Sequence, residues 1–393
     1  MRVIYAFEPL PEVGHSSIFL AGPTPRAGIG EAAIKSWRQE AIDILQRIGY
    51  KGDVLIPEPR DGWQADYNGQ IEWECYGRKV SDIIVFWVPR EMKLMPAFTT
   101  NIEFGEDLPT GKVLYGRPDD APKNRYLDAR YKDFMKKEPH STLEALMQDI
   151  VNTIGQGAMR TGGERHVPLW IWKTPSFQSW YDGQKQQDNV LNDFDVQTVF
   201  RFGPPPENIF GWVAKVNVHI TSENRDKANE SVVARTDTSM VVPVLTDTPA
   251  HDILLVEEFR SPGHTSKGLV VEPPAGSSPA SKDPRAVALE ELCEETGLDS
   301  IAPDRLQYIS TRQLAATMLT HQMHVFALKL TPEESRDVRQ KAMDKVILGA
   351  NPYEENGERI TLDIVAQDKI LDSDVDWTSL GAIAMATKAL KDD

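Results

Sequence analysis

The stretch 276–298, GSSPASKDPRAVALEELCEETGL, constrains this chain more than any other. Its closing EELCEETGL sets Glu291, Glu294 and Glu295 at i, i+3 and i+4. On a helix these carboxylates share one face, one turn apart. Asp283 is a natural N-cap with Pro284 at the first helical position, and Gly297 supplies the exit. Like charges crowded this way repel unless a cation sits among them, and an all-oxygen donor set suits Mg²⁺ or Mn²⁺. The preceding PPAGSSP turn has free carbonyls, that of Gly276 among them, to add a further ligand. A solvated acidic helix face is the commoner fate of a charge run. Loop, caps and carboxylate triplet coincide here, which favours the metal site.

This segment resembles the Nudix hydrolase box. Gly276 takes the opening glycine, and Glu291, Leu292, Glu294, Glu295, Gly297 and Leu298 stand as that family has them. Lys282 replaces the box's first Glu, and Glu290 its Arg. The resemblance implies an α/β/α sandwich with a mixed sheet and a Mg²⁺ (or Mn²⁺) requirement, with Glu295 also in a catalytic role. The two departures weigh on turnover, because that Arg normally steadies a metal-ligating Glu, and leave the three core ligands in place.

At 393 residues the chain is long enough for two domains. Lys plus Arg number 43 against 59 Asp plus Glu, a net charge of −16. That balance argues against a nucleic-acid partner. No apolar run is long enough to cross a membrane, and the N-terminus lacks a signal-peptide pattern. Cys75 and Cys293 are the only cysteines, far apart and without metal-ligand spacing, so no disulfide framework is expected. The expectation is a cytoplasmic protein.

In the first half, SIFLAGPTP (17–25) reads as a strand running into a Gly-Pro loop, and 30–48 repeats apolar positions at helical spacing, Ala33 and Trp37 among them. DVLIPEP (53–59), DIIVFWVPR (82–90) and KVLYG (112–116) read as strands, with helices from NGQIEWECYGRKVSD and TTNIEFGED between them. This alternation predicts a doubly wound parallel sheet, flavodoxin- or Rossmann-like. Ligands of such sheets bind beyond the carboxyl ends of the strands. Gly22, Pro23, Glu58, Pro89, Arg90 and the start of the 99–105 helix then surround one cleft.

IFLAGPTPR, DIIVFWVPR and TTNIEFG resemble the nucleoside 2-deoxyribosyltransferases and their N-glycosidase relatives over residues 15 to 135. The resemblance puts the nucleophilic carboxylate at Glu103 and a base-contacting acid at Glu74, with Gly22, Pro23 and Arg90 about the substrate. Such a nucleophile attacks C1′ to form a glycosyl ester while a second acid handles the leaving base. Ala97 stands where the family carries a further acid, which leaves room for ribosides or nucleotides. Without the resemblance, Glu103 is an ordinary acid favoured by a helix N-terminus.

HSTLEALMQDIVNTIGQG reads as a closing helix, and MRTGGERHVP has a linker's Gly, Pro and charge content. The expected domains are therefore 1–160 and 161–393. Beyond the cut, apolar β-branched runs at VQTVFRFG, FGWVAKVNVHI, SVVARTDTSMVVPVL and DILLVEEFR read as strands. After the box come strands LQYISTRQ and HQMHVFALKL, a polar helix at 332–346, strand ERITLDIV and a final helix. DILLVEEFRSPG and VVEPPAGS resemble the ADP-ribose pyrophosphatase branch of the Nudix family. That likeness gives Arg260 a contact to phosphate or ribose and Glu272 a place shaping the site. It places the catalytic base on a late mobile loop, where Glu354 and Glu355 are the candidates. His321 and His324 fall on opposite strand faces and make no joint metal site.

These readings combine into a nucleotide-metabolising enzyme of two domains that acts on a small nucleoside or nucleotide. One cuts or transfers an N-glycosidic bond, and the other hydrolyses a diphosphate such as ADP-ribose. Both resemblances imply a homodimer. In the alternative, only the first domain is catalytic, and the second is a degenerate nucleotide-binding, dimer-forming or sensor module.

Overall fold

The computed structural model describes residues 1–25, 35–61, 66–248, 251–278, 283–355 and 357–392. Ala33 and Lys282 lie outside them. The chain divides into two compact units, Met1–Val233 and Ala234–Asp393.

The first unit is built on five parallel strands in the order β1-β4-β3-β5-β6: β1 (Arg2–Tyr5), β3 (Ser17–Ala21), β4 (Asp53–Ile56), β5 (Ile83–Trp87) and β6 (Val113–Gly116). Strands β3 to β6 are apolar nearly throughout and wholly buried, as a sheet covered on both faces requires. On one face lie α1 (Arg38–Arg47) and α5 (Leu143–Ile154), which contribute Ala41, Leu45, Leu146 and Ile150 to the core. The other face takes α2 (Tyr67–Val80), α3 (Phe98–Asp107) and α4 (Arg125–Met135), through Trp73, Phe104 and Tyr131. Chain direction along the sheet reverses between β3 and β5, which opens the crevice there. The helix α5 starts where its sequence says, with Thr142 accepting the Ala145 N–H.

The expected cut near 160 does not coincide with the division at 233. The Gly- and charge-rich segment is not a loose linker. A short pair, β2 (Val13–Gly14) with β7 (Arg160–Thr161), holds it, and Arg160 and Arg165 form buried ion pairs with Asp82 and Asp53. Helices α6 (Leu169–Trp172) and α7 (Pro175–Lys185) follow, then the sheet β10-β9-β8 of β8 (Val190–Arg201), β9 (Ile209–Ile220) and β10 (Arg225–Arg235). Phe177 of α7 packs on Phe194 and Trp212, with ring centroids 5.6 and 6.0 Å away. His166 bridges Tyr76 of α2 and Asp193 of β8 at 2.8 and 2.6 Å. Charges that read as solvation in the sequence tie these elements together.

The second unit is an α/β/α sandwich, as expected. Its mixed sheet runs β13-β12-β11-β16-β15, from β11 (Thr238–Val244), β12 (Ile253–Glu258), β13 (Val270–Glu272), β15 (Gln307–Gln313) and β16 (Gln322–Lys329). To it β14 (Ala275–Gly276) adds beside β11, and β17 (Thr361–Val365) beside β12. Strands β11 and β16 are parallel; β12, β13 and β17 pair antiparallel. One face carries α8 (Pro284–Thr296) and α9 (Pro332–Asp344), through Ala288, Leu292 and Val338. The other carries α10 (Trp377–Asp392), through Ala382, Ile383 and Ala386. No helix among the described residues is long and apolar enough to cross a membrane.

Candidate functional sites

The crevice of the first unit is a cleft of about 430 Å³. Gly22, Pro23 and Thr24, leaving β3, form one side, and α2 and α3 bring Glu74 and Glu103 to it. Gly22 has φ +127°, and a Cβ there would lie 2.3 Å from the Trp87 carbonyl oxygen, so only glycine lets the loop pass β5. Arg38, at the start of α1, is buried and fixes that loop. Its guanidinium donates to the Leu20 and Gly22 carbonyls at 2.9 and 2.7 Å, to Thr24 Oγ1 at 3.0 Å and to Glu58 at 2.5 Å. Trp37 Nε1 donates to the Pro23 carbonyl.

Glu74 accepts from Gln70 Nε2 at 2.5 Å, while Gln70 itself is anchored on the Pro57 carbonyl. Burial raises the Glu74 carboxyl above its ordinary range, against the pull of Gln70, Arg38 and Arg78. Burial, and then the charge of Glu74, push Glu103 up to about 7, with Arg78 opposing. Among the described residues no ion pair or hydrogen bond engages the Glu103 carboxylate. Two acids that repel in one half-buried cleft titrate as a pair, each raised by burial. Ala97 lines the same cleft at the left-handed N-cap of α3, with φ +60° and no side-chain cap.

Arg90 is placed otherwise. It is buried, donating to Asn101 Oδ1 and the Lys123 carbonyl, and is not among the residues lining the cleft. Glu72 is exposed, and Trp73 packs on Phe19 and donates to the Glu8 carbonyl. Asp82 is structural: it accepts from the Ser17 N–H and pairs with Arg160. Sequence reasoning missed Arg38 and Arg78, since a helical Arg reads as solvated.

In the second unit α8 is capped as its sequence says, by Asp283 and by Gly297 in the left-handed conformation. Glu295 is buried and accepts the Ala275 N–H at 3.0 Å. Burial, then Glu291, raise its carboxyl to about 9. Glu291 is raised to about 7 by burial and then Glu294, whose own side chain is exposed. Gly276 lies against Glu291: a Cβ there would fall 2.2 Å from its carboxyl. Glu272 rises to about 7 through burial, with Arg260 opposing. Arg260 pairs with Glu258 at 2.7 Å. The arrangement thus gathers Glu272, Glu291, Glu294, Glu295, Arg260 and Gly276.

The late loop carries its acids in two different settings. Glu354 and Glu355 are exposed on a turn that closes back on itself, and neither is among the main groups that shift the box acids. Glu358 raises the carboxyls of Glu258, Glu291 and Glu295. It stands at the foot of the loop, beside the Leu348–Ile360 bridge, where the Gly349 N–H donates to the Glu294 carbonyl. The signal for it was the strand edge after the loop rather than the loop tip.

The box acids Glu291 and Glu295 repel one another, only partly offset by Arg260 and the Ala275 N–H, a charge that a hard divalent cation would relieve. Among the described residues, no three His, Cys, Asp or Glu side chains are gathered into a preformed metal cage.

The first unit is thus a doubly wound sheet with an acid pair in its switch-point cleft, and the second a sandwich with an acidic helix at its sheet edge. Residues 15–121 match the family described as nucleoside 2-deoxyribosyltransferase like, a match that spans β3 through β6 and both cleft acids. Among solved structures, an ADP compounds hydrolase is similar at 13% identity with a TM-score of 0.37, covering 52% of this chain and 94% of that one. No curated protein sequence matches the chain.

Proposed function

We propose that the chain is a nucleotide-metabolising enzyme whose first unit cleaves or transfers at an N-glycosidic bond through Glu103. The observation that carries this is the Glu74–Glu103 pair, two mutually repelling acids in one cleft, within residues that match the deoxyribosyltransferase-like family. The ionised Glu103 oxygen attacks C1′ and the bond to the base breaks. The base leaves with the electron pair and takes a proton from Glu74. Water or a second base, deprotonated by Glu74, then displaces Glu103 from C1′. Arg38 and Gln70 hold the loop and the acid in place.

For the second unit the reading is Mg²⁺- or Mn²⁺-dependent hydrolysis of a diphosphate-linked nucleoside such as ADP-ribose. Glu291, Glu294, Glu295 and the Gly276 carbonyl would hold the ion, which supplies charge neutralisation at the diphosphate and an acidified water. Arg260 would bind phosphate, its planar fork suiting paired oxygens, and Glu272 would shape the pocket. Glu358 replaces Glu355 as the candidate base. The substrate is a small molecule, and a homodimer is part of the proposal. The reading of this unit as a binding module stays in play through Glu290, which stands where the box has Arg.

The test is chromatography of products from nucleosides, nucleotides, NAD and ADP-ribose, with Mg²⁺ and with chelator. Free base formed regardless of metal and lost in Glu103→Ala supports the first unit. AMP formed only with metal and lost in Glu295→Gln supports the second. Base release that persists in Glu103→Ala, or AMP release unaffected by chelator, sinks the corresponding half.

A further inference from the structure

A second cavity in the first unit, of about 960 Å³, takes no part in the chemistry above. It opens between the C-terminal halves of α2 and α3 and the β8–β9 ribbon, with apolar walls from Trp170, Ile171, Val196, Val199, Pro205 and Ile209. It touches the Glu103 cleft along Cys75, Arg78 and Glu106, which line both. In a chain of net charge −16, this lining carries five basic side chains against three acidic ones.

Most of those charges are already answered. Arg78 pairs with Asp107 at 2.8 Å, and Lys79 reaches Asp193 and Asp195 at 3.4 and 3.8 Å. The buried Lys112 ammonium donates to the carbonyls of Arg78, Lys79 and Ser81. Lys136 reaches Asp133 at 3.6 Å.

Arg201 is the exception. Its guanidinium has one long hydrogen bond, to the Thr110 carbonyl at 3.4 Å, and its buried Nε has no partner. Among the described residues no carboxylate pairs with it. The position is built, not incidental: Gly111, at φ +75°, lies so close that a Cβ there would come 2.7 Å from Arg201 Nη2 and 3.0 Å from Pro205 Cβ. A half-buried guanidinium without an anion is costly, and its fork is suited to two oxygens of one acid group.

We propose that this cavity is a binding site for a small organic anion with a flat apolar body, whose phosphate or carboxylate group pairs with Arg201 while the body lies between the β8–β9 ribbon and Trp170. An occupant would be a neighbour of the cleft acids through Arg78, but the site stands independently of whether those acids are catalytic.

The test titrates the full chain with the anionic probe 8-anilinonaphthalene-1-sulfonate and with neutral N-phenyl-1-naphthylamine, which has the same aromatic body. Both are expected to bind saturably at one site. Arg201→Gln should weaken the anionic probe by about tenfold or more and leave the neutral one within about twofold, while Arg201→Lys restores much of the loss. Val196→Trp, which fills the cavity and keeps the cation, should abolish both. On the unmodified protein, phenyl phosphate or 1-naphthoate should displace the anionic probe, and which does so better identifies the acid group. The proposal is overturned if Arg201→Gln weakens both probes equally or neither, or if neither competitor displaces the probe. It is also overturned if Val196→Trp leaves binding intact, or if probe affinity falls as protein concentration rises, which would mark the cavity as a seat for a second copy of the chain.

Discussion

Arg160 places one guanidinium nitrogen 2.7 and 2.8 Å from the two carboxylate oxygens of Asp82, across 78 positions of sequence, with both side chains buried. Asp82 also accepts the Ser17 N–H, so one carboxylate ties β3, the start of β5 and the 160s segment together. Arg160 Nη1 continues to the Val167 carbonyl.

Removing one member of such a pair leaves the other charge buried and unanswered. Asp82→Ala and Arg160→Ala should each destabilise the first unit by about 3–5 kcal/mol, whereas Asp82→Leu with Arg160→Met should recover much of that. Urea unfolding followed by tryptophan fluorescence reads this. Single changes costing under about 1 kcal/mol would show that the pair is not what holds the segment.

This pair also shows where sequence reading stops. The parallel strands were legible because wholly buried runs such as 83–87 leave no polar residue to mistake, and α5 and α8 announced their ends with caps. The acids Glu74, Glu103 and Glu295 could be singled out because a short motif named their positions, and Glu74 and Glu103 line one cleft. A pairing between residues 82 and 160 has no local signature, so the Gly-rich charged segment read as a linker. The partners of Arg90 were hidden for the same reason: its position at a strand end suited a ligand, and only packing revealed Asn101 and the Lys123 carbonyl. Glu358 was hidden because the loop tip drew attention from its foot.

Gly276→Ala should act on one side chain. The added methyl would fall 2.2 Å from the Glu291 carboxyl, so that group must turn away. Metal-dependent turnover, if the second unit hydrolyses a diphosphate, should drop by about tenfold or more, with the fold retained. Gly105→Ala is the control, since beyond its own helix backbone and chain neighbours its added Cβ meets no atom within 4 Å. In a helix interior that change should stabilise by about 0.5–1 kcal/mol. Equal activity in both variants would remove Glu291 from the metal site.

Glu103, raised to about 7, gives a signed pH dependence. The nucleophile must be ionised and Glu74 protonated, so base release should follow a bell-shaped pH profile, falling as pH drops below about 7 and falling again once Glu74 gives up its proton. Stability runs the other way. The carboxyl is protonated in both states at low pH, and stability is lost as pH rises from the unfolded value of about 4.3 through about 7. Glu103→Gln should therefore be more stable than the unmodified chain above pH 7, by on the order of 1–3 kcal/mol, with the gap closing near pH 4. Melting curves across pH read this, and a gap independent of pH would mean Glu103 is not raised.

Glu295 carries the last prediction, because burial and metal pull it in opposite directions. Without metal, burial beside Glu291 keeps this carboxyl protonated, at a cost above its unfolded pKa, and glutamine keeps an oxygen for the Ala275 N–H while removing that cost. Glu295→Gln should therefore melt higher than the unmodified chain in chelator. With Mg²⁺ the order should reverse. An ion that binds the folded state at about one hundred times its dissociation constant adds about 2.7 kcal/mol, and this gain should vanish in the variant that lacks the ligand. Glu290→Arg, a change just before the box acids at a residue not proposed to hold the ion, should keep the Mg²⁺ gain. If Glu295→Gln lowers the melting temperature in chelator, its carboxylate is answered by a partner, and the case for a metal there is lost. If instead it melts higher in chelator and Mg²⁺ shifts neither protein, the acids form a repulsive cluster without a metal. The second unit is then the binding module of the alternative reading.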